Sequence, residues 1–455
     1  MLTRKPVHTE GEANTSDERT AWSDRQDRPA TGVLINRDSE AFLHQSLSTP
    51  VMSAVAKAEG IWIEDLDGNR YMDFHGNSVH HIGYGHPKLV DAIKQQIDEL
   101  SFSPRRYTNE VSVELAEKLG AIAPADLSKV LFTTGGSDAN EVALRIARAA
   151  TGRFKTVSFW DAFHGAGFGA SSVGGEATFR SHIAGPLMAG AEHVAPFACY
   201  RCPYGHPGPD ICELACANMV RYVLEREGDV AAVIAEPMRA VPYVPPAGFW
   251  KSVRQTCNDA GALLIFDEIP TGLGKTGRFF AFEHDEVVPD IVTLGKALGG
   301  GILPIAAVIA NRDLDVCGEF AIGHYTHEKN PVTARAALTT IEIIEEEGLV
   351  ERAAKIGNHA MERLGNFAAS SSAVGDVRGR GAMFGVEIIA DPATKAPGND
   401  LAETIFYRCL DAGLSFKISQ GCVLTLSPPM TIADDELDRA LGIVETAIVG
   451  CAASA

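Results

Sequence analysis

The sequence predicts an α/β protein: a mostly parallel sheet covered by helices, with a smaller α+β domain assembled from the N- and C-terminal segments. Three observations predict it. From about Leu89 onward, helical stretches alternate with short apolar runs: Val130-Leu-Phe132, Thr156-Val-Ser-Phe159, Val230-Ala-Ala-Val-Ile-Ala235, Leu263-Leu-Ile-Phe266, Ile291-Val-Thr-Leu294 and Ile305-Ala-Ala-Val-Ile309. Buried strands separated by helices argue for parallel pairing with both faces covered. Upstream, Ile61-Trp-Ile-Glu-Asp-Leu-Asp-Gly-Asn-Arg-Tyr-Met-Asp-Phe74 sets two alternating runs around an Asp-Gly turn, the pattern of a β-hairpin. Downstream of about Gly323, amphipathic helices surround the run Gly381-Ala-Met-Phe-Gly-Val-Glu-Ile388.

The expected organisation follows. Residues 1–30 are polar and lack apolar periodicity, and read as a flexible arm or a segment ordered only by a partner subunit. Residues 31–88 open the small domain, 89–323 form the large one, and 324–455 complete the small one. With 455 residues at 45% hydrophobic, the chain can bury a large core. Fifty-nine acidic against forty basic residues leave a formal charge of −19, which repels nucleic acid and anionic membrane. No apolar stretch reaches the roughly 18 residues of a membrane span, and the N-terminus lacks a signal-peptide core. A cytoplasmic protein with a small-molecule partner is expected. Nine cysteines fit a reducing compartment.

The chemistry concentrates at two places. Ala262-Leu-Leu-Ile-Phe266 ends in Asp267-Glu268, and Asp290-Ile-Val-Thr-Leu-Gly-Lys-Ala-Leu-Gly-Gly-Gly301 holds Lys296 in a glycine-rich turn. A strand-end carboxylate paired with such a lysine is what a pyridoxal phosphate enzyme needs. The lysine forms a Schiff base with the cofactor aldehyde, and the aspartate keeps the pyridine nitrogen protonated. The plain alternatives are a surface lysine and a helix-capping aspartate. Thr133-Thr-Gly-Gly-Ser-Asp-Ala-Asn-Glu141 follows a strand and opens a helix, so its N–H groups and helix dipole suit an anion.

Together these motifs resemble the class III aminotransferases, of the fold-type I group of pyridoxal phosphate enzymes, over about residues 50 to 445. The resemblance implies a seven-stranded type of sheet, Lys296 as Schiff-base lysine and general base, and Asp267 as the pyridine partner with Ile269 packing near the ring. It implies Gly136 and Ser137 at the cofactor phosphate, and Phe163 and His164 as cofactor-binding residues, with Phe163 stacked on the ring. Glu236 lies at the site edge, in direct contact or one layer behind. It also implies a homodimer in which Thr326 reaches the neighbouring subunit's cofactor phosphate. Pro270 departs from the pattern, since most members carry Gln there.

Substrate-handling residues are Arg378, which either holds a substrate anion or pairs within the C-terminal lobe, and His75, Arg105, Arg106 and Lys417. The histidines of Asp73-Phe-His-Gly-Asn-Ser-Val-His-His-Ile-Gly-Tyr-Gly-His-Pro87 with Arg105 and Arg106 make either a pocket for a strongly anionic amine or a polar hairpin surface. Further segments, among them Thr9-Glu-Gly, Asn14-Thr-Ser16, Phe42-Leu-His-Gln-Ser-Leu-Ser-Thr-Pro50 and Leu414-Ser-Phe-Lys-Ile-Ser-Gln-Gly421, are similar to a lyase subgroup of the class. That subgroup eliminates ammonia from (R)-1-hydroxy-2-aminoethylphosphonate; transamination with a keto acid is the alternative. Cys199, Cys202, Cys212 and Cys216 have a C-x2-C-x9-C-x3-C spacing that reads as reduced loop cysteines or a zinc site. No metal is expected at the catalytic centre.

Overall fold

The computed structural model describes residues 16–45, 48, 51–181 and 184–452. Two compact units result: Asn77–His81 with Pro87–Glu351, and a smaller one from Met1–Gly76, Ile82–His86 and Arg352–Ala455.

The larger unit is built on a seven-stranded sheet. Its strands are β1 (Leu127–Thr133), β2 (Lys155–Phe159), β3 (Ala191–Val194), β4 (Val230–Ala235), β5 (Leu263–Asp267), β6 (Ile291–Leu294) and β7 (Ala306–Asn311), in the order β1-β7-β6-β5-β4-β2-β3. From β3 to β6 all pairings are parallel, while β7 runs antiparallel to both neighbours. Six strands coincide with the apolar runs. The seventh, Ala191-Glu-His-Val194, is an edge strand buried only at its last residue, so it carries no apolar run to read. By contrast all six residues of β4 are buried, as a central strand covered on both faces requires.

The register fixes where chemistry can sit. Ile234 faces Ile265 and Asp267 faces Thr293, so the carboxyl ends of β4, β5 and β6 lie side by side. Open α/β sheets bind ligands at that edge. Helix α1 (Gly136–Thr151) packs on the sheet through Ala139, Val142, Ala143, Ile146 and Ala147, a spacing that buries one helical stripe. It stops at Gly152, whose φ of 66° is the left-handed conformation glycine adopts freely. Behind β5, Trp250 of α2 (Phe249–Ala260) meets Phe266 edge-on at 4.7 Å.

The smaller unit interleaves both chain ends. Trp62–Asp65 and Arg70–Asp73 form the expected hairpin, and Leu414–Ser415 adds to it in parallel beside Met72 and Asp73. A second sheet joins Val374–Arg380, Met383–Asp391, Val423–Leu426 and Lys417–Ser419.

Residues 16–30, read above as part of a flexible arm, are folded. Ser16 caps a helix over Asp17–Asp24 by accepting from the Arg19 N–H, and Trp22 is buried against Tyr407 with its indole N–H donated to Asp411. One buried tryptophan anchors the segment, and such an anchor produces no periodicity. Thr9-Glu-Gly and Asn14-Thr, with positions 46, 47, 49 and 50, lie outside the described residues. No helix among the described residues is long and apolar enough to cross a membrane.

Candidate active site

The turn after β6 starts from a glycine-rich backbone. Lys296 opens a short 3-10 turn, Lys296–Gly299, at φ 46°, a left-handed conformation that costs a non-glycine residue about 1–2 kcal/mol. Its side chain is exposed in the single chain, beside buried Gly295 and Ala297. The glycines that follow have steric reasons. A Cβ on Gly300 would stand 2.1 Å from Leu89 Cδ2, and one on Gly301 3.2 Å from the Val79 carbonyl oxygen.

At the end of β5 the backbone carries Asp267 into a buried network. Its Oδ2 accepts from Asn140 Nδ2 at 2.8 Å and sits 2.8 Å from His164 Nδ1; its Oδ1 accepts from the Ile269 N–H at 3.1 Å. Asn140 in turn donates to the His164 carbonyl and accepts from Thr293 Oγ1 at 2.9 Å. Asp267 is 1% exposed and His164 2%. The local bond to Ile269 is the turn-capping role; the other two partners, Asn140 and His164, hold the carboxylate in one orientation, as an acid that must keep a ring nitrogen protonated requires. The neighbouring Glu268 faces the other way. It accepts from the Ala281 and Phe282 N–H groups, and burial pushes its carboxyl up to about 8.

At Gly136 in the first turn of α1, and at Gly165 packed against that turn, there is no room for a side chain. A Cβ on Gly136 would lie 2.6 Å from Ile269 Cδ1, and one on Gly165 2.3 Å from Ser137 Oγ. Gly135 caps the helix without a side-chain acceptor, while Ser137 Oγ accepts from the Ala166 N–H at 3.0 Å. First-turn amides thus face a cradle lined by Gly136, Ser137 and Gly165, of the kind that receives a phosphate. Phe163 is half-buried against Phe179, ring centres 4.6 Å apart. Glu236 is buried and accepts from the Ala240 N–H at 2.6 Å.

The family model described as Aminotransferase class-III matches residues 44–448. The chain belongs to the class III aminotransferases. It is 44% identical to the (R)-1-hydroxy-2-aminoethylphosphonate ammonia-lyase of Vibrio splendidus, over 98% of this chain and 96% of that one. It is 38% identical to the leucine/methionine racemase of Thermococcus litoralis, over 91% and 95%. Among solved structures, the pyridoxal-phosphate-bound amine transaminase of an uncultivated Pseudomonas species superposes with a TM-score of 0.84 at 30% identity, covering 90% of this chain and 99% of that one.

A class III aminotransferase uses pyridoxal phosphate, and the residues here fit it. The α1 cradle offers amides to a phosphate, Asp267 is an oriented buried carboxylate, and Lys296 presents an amine at the same sheet edge. Reading the sequence missed Asn140 and Thr293. Asn140 lies one helical turn beyond Gly136, and that spacing behind the Gly-Gly-Ser turn was the available signal.

The other residues expected to act divide between the units. In the larger one, Thr326 and Arg106 are exposed, and Arg105 hydrogen-bonds His324. His80 and His81 are buried there, and burial with the nearby Lys275 charge holds His81 well below the usual histidine range. In the smaller one, the His75 N–H donates to Asp73, Lys417 is half-buried on its strand, and Arg378 pairs with Asp376 at 2.8 Å and with Glu387. That arginine therefore makes the intra-lobe ion pair named as its alternative role. Cys199, Cys202, Cys212 and Cys216 line one small cavity, and burial pushes the Cys216 thiol up to about 12. No group of three metal-ligating side chains is spaced to hold an ion among the described residues.

Proposed function

We propose that the protein is an ammonia-lyase acting on (R)-1-hydroxy-2-aminoethylphosphonate, with phosphonoacetaldehyde and ammonia as products. The observation that carries this reading is the 44% identity to an enzyme of that activity across nearly the whole of both chains. Pro270 agrees with it, because it stands where most of the class keeps a glutamine.

Pyridoxal phosphate, when bound, supplies a ring that accepts electrons from the substrate carbon next to nitrogen. Lys296 carries the proton: its amine, exposed at the sheet edge, takes it from the carbon bearing nitrogen, hydroxide departs from the neighbouring carbon, and the unsaturated amine that is left takes up water, its C–N bond breaking to give phosphonoacetaldehyde and ammonia. Asp267, held by Asn140 and His164, keeps its carboxylate against the base of the site. Gly136 and Ser137 offer amides to a phosphate, while Phe163 and Ile269 bracket the same space. Glu236 acts one layer behind. The protein works as a homodimer in which Thr326 completes the neighbouring site, and His75, Arg105, Arg106, Arg378 and Lys417 are candidates for contact with the substrate.

The test is ammonia release from (R)-1-hydroxy-2-aminoethylphosphonate with no keto acid present, followed over many turnovers. Sustained release with phosphonoacetaldehyde as co-product is expected. The second reading, a keto-acid-dependent transaminase, is favoured by the likeness to amine transaminases; turnover only after a keto acid is added would establish it and overturn the first.

A further inference from the structure

Arg239 is a buried charge in the larger unit that no carboxylate among the described residues neutralises. It lies four residues past the end of β4 and is 3% exposed. Its Nη2 donates to the Asp161 carbonyl oxygen, its guanidinium carbon lies 5.5 Å from the Tyr243 ring centre, and its Nε is buried with no hydrogen-bond partner. Among the described residues no acidic side chain makes a salt bridge with it. A guanidinium stays protonated at any pH the protein experiences. Burying such a charge is unfavourable unless an anion compensates it.

Its position names the anion. The Arg239 N–H donates to the Tyr243 carbonyl, closing a tight loop that fixes the base of the side chain. Asp161 belongs to the segment after β2 that carries Phe163 and His164, and β2 pairs in parallel with β4. Arg239 therefore links two loops at the same carboxyl edge that holds Asp267 and Lys296. The cofactor phosphate already has its own cradle at α1.

We propose that Arg239 binds the acidic group of the substrate, a tetrahedral phosphonate in the lyase reading on which this inference rests. Guanidinium donors suit such an oxyanion because two N–H groups can address two oxygens at once.

The test compares the unsubstituted holoenzyme with Arg239→Gln and Arg239→Lys. The probes are 2-aminoethylphosphonate, which keeps the anion and lacks the leaving hydroxyl, and ethanolamine, which lacks the anion. Binding is read from the change in cofactor absorbance. Arg239→Gln should weaken 2-aminoethylphosphonate by about thirty-fold or more, leave the ethanolamine response and the resting cofactor spectrum unchanged, and be partly rescued by Arg239→Lys. Unchanged phosphonate affinity in Arg239→Gln overturns the proposal. So does equal weakening of both probes, which marks a structural role, or loss of cofactor, which assigns Arg239 to the cofactor phosphate. If the unsubstituted enzyme releases no ammonia from the hydroxylated substrate, the lyase reading fails separately. Arg239 is then judged with β-alanine as the carboxylate counterpart: Arg239-dependent binding of either anion sustains the assignment, and of neither overturns it.

Discussion

The base of the site and its rim are built on different physical terms. At the base, Asp267, His164 and Asn140 are all but fully buried, and their polar atoms lie 2.8–2.9 Å apart in a chain that ends at Thr293. At the rim, Lys296 is exposed and Phe163 and Ile269 are half-buried, and the contacts proposed for Thr326 and Arg106 would be made by side chains that are likewise exposed. The base is oriented by the fold of one chain, whereas the rim offers surfaces for something else to cover. Substitutions should therefore separate: at the rim they change activity and leave stability alone, at the base they change both.

The largest effect is expected from Lys296→Ala. Ammonia release should fall by about a thousand-fold or more, as removal of a nucleophile and base does. Because the side chain is exposed and its backbone strained, the melting temperature should stay within a degree or two. A large loss of stability would break the comparison, since the lysine would then be holding the fold. Asp267→Asn should come next, lowering turnover by about a hundred-fold or more. It also sets an amide against the Asn140 donor, and an unsatisfied buried group costs about 1–3 kcal/mol. Parallel measurement of turnover and denaturant midpoint checks both halves of this expectation.

The rim–base difference also explains what could be read from the chain. Lys296 and Asp267 are legible because each is defined locally, by a strand end or a glycine turn. Asn140, Thr293 and Arg239 are not. Asn140 meets Asp267 across 127 positions and Thr293 across 153, and only the packing of α1 on β5 and β6 brings them together. Trp22 anchors its helix to Asp411 from 389 positions away, so the segment looked unstructured in isolation. The sheet order was legible in kind because buried parallel strands are apolar throughout, while the half-exposed edge strand β3 was not.

Glu268 extends the base into a pH effect of intermediate size. Its carboxyl ionises near the ordinary 4.5 in the unfolded chain and near 8 in the fold, because burial disfavours the charge more than the two amide bonds favour it. Between those values the fold retains a proton that the unfolded chain has lost. This stabilising contribution is therefore complete below about 4.5 and declines as pH rises toward 8. Glu268→Gln should be less stable at low pH, since its amide nitrogen faces an N–H donor, but its melting temperature should fall less between pH 5 and 8. Equal slopes for the two proteins would remove Glu268 from the pH response.

The smallest effect belongs to Thr326→Ala, and it is the cleanest test of the rim. Thr326 is exposed, and in the homodimer proposed above its hydroxyl reaches the neighbouring subunit's cofactor phosphate. Deleting one hydroxyl that hydrogen-bonds a charged group costs about 1.5–3 kcal/mol, or roughly ten- to a hundred-fold in affinity. The expected outcome is a rise of that order in the cofactor dissociation constant, with kcat at saturating cofactor within about threefold and the melting temperature of the apoprotein unchanged. The difference from Asp267→Asn is then diagnostic. A base residue is already committed in the single chain, so its loss appears in the apoprotein. A rim residue is committed only when cofactor and second subunit meet it, so its loss appears only in the loaded dimer. An apoprotein destabilised by Thr326→Ala would place this threonine with the base.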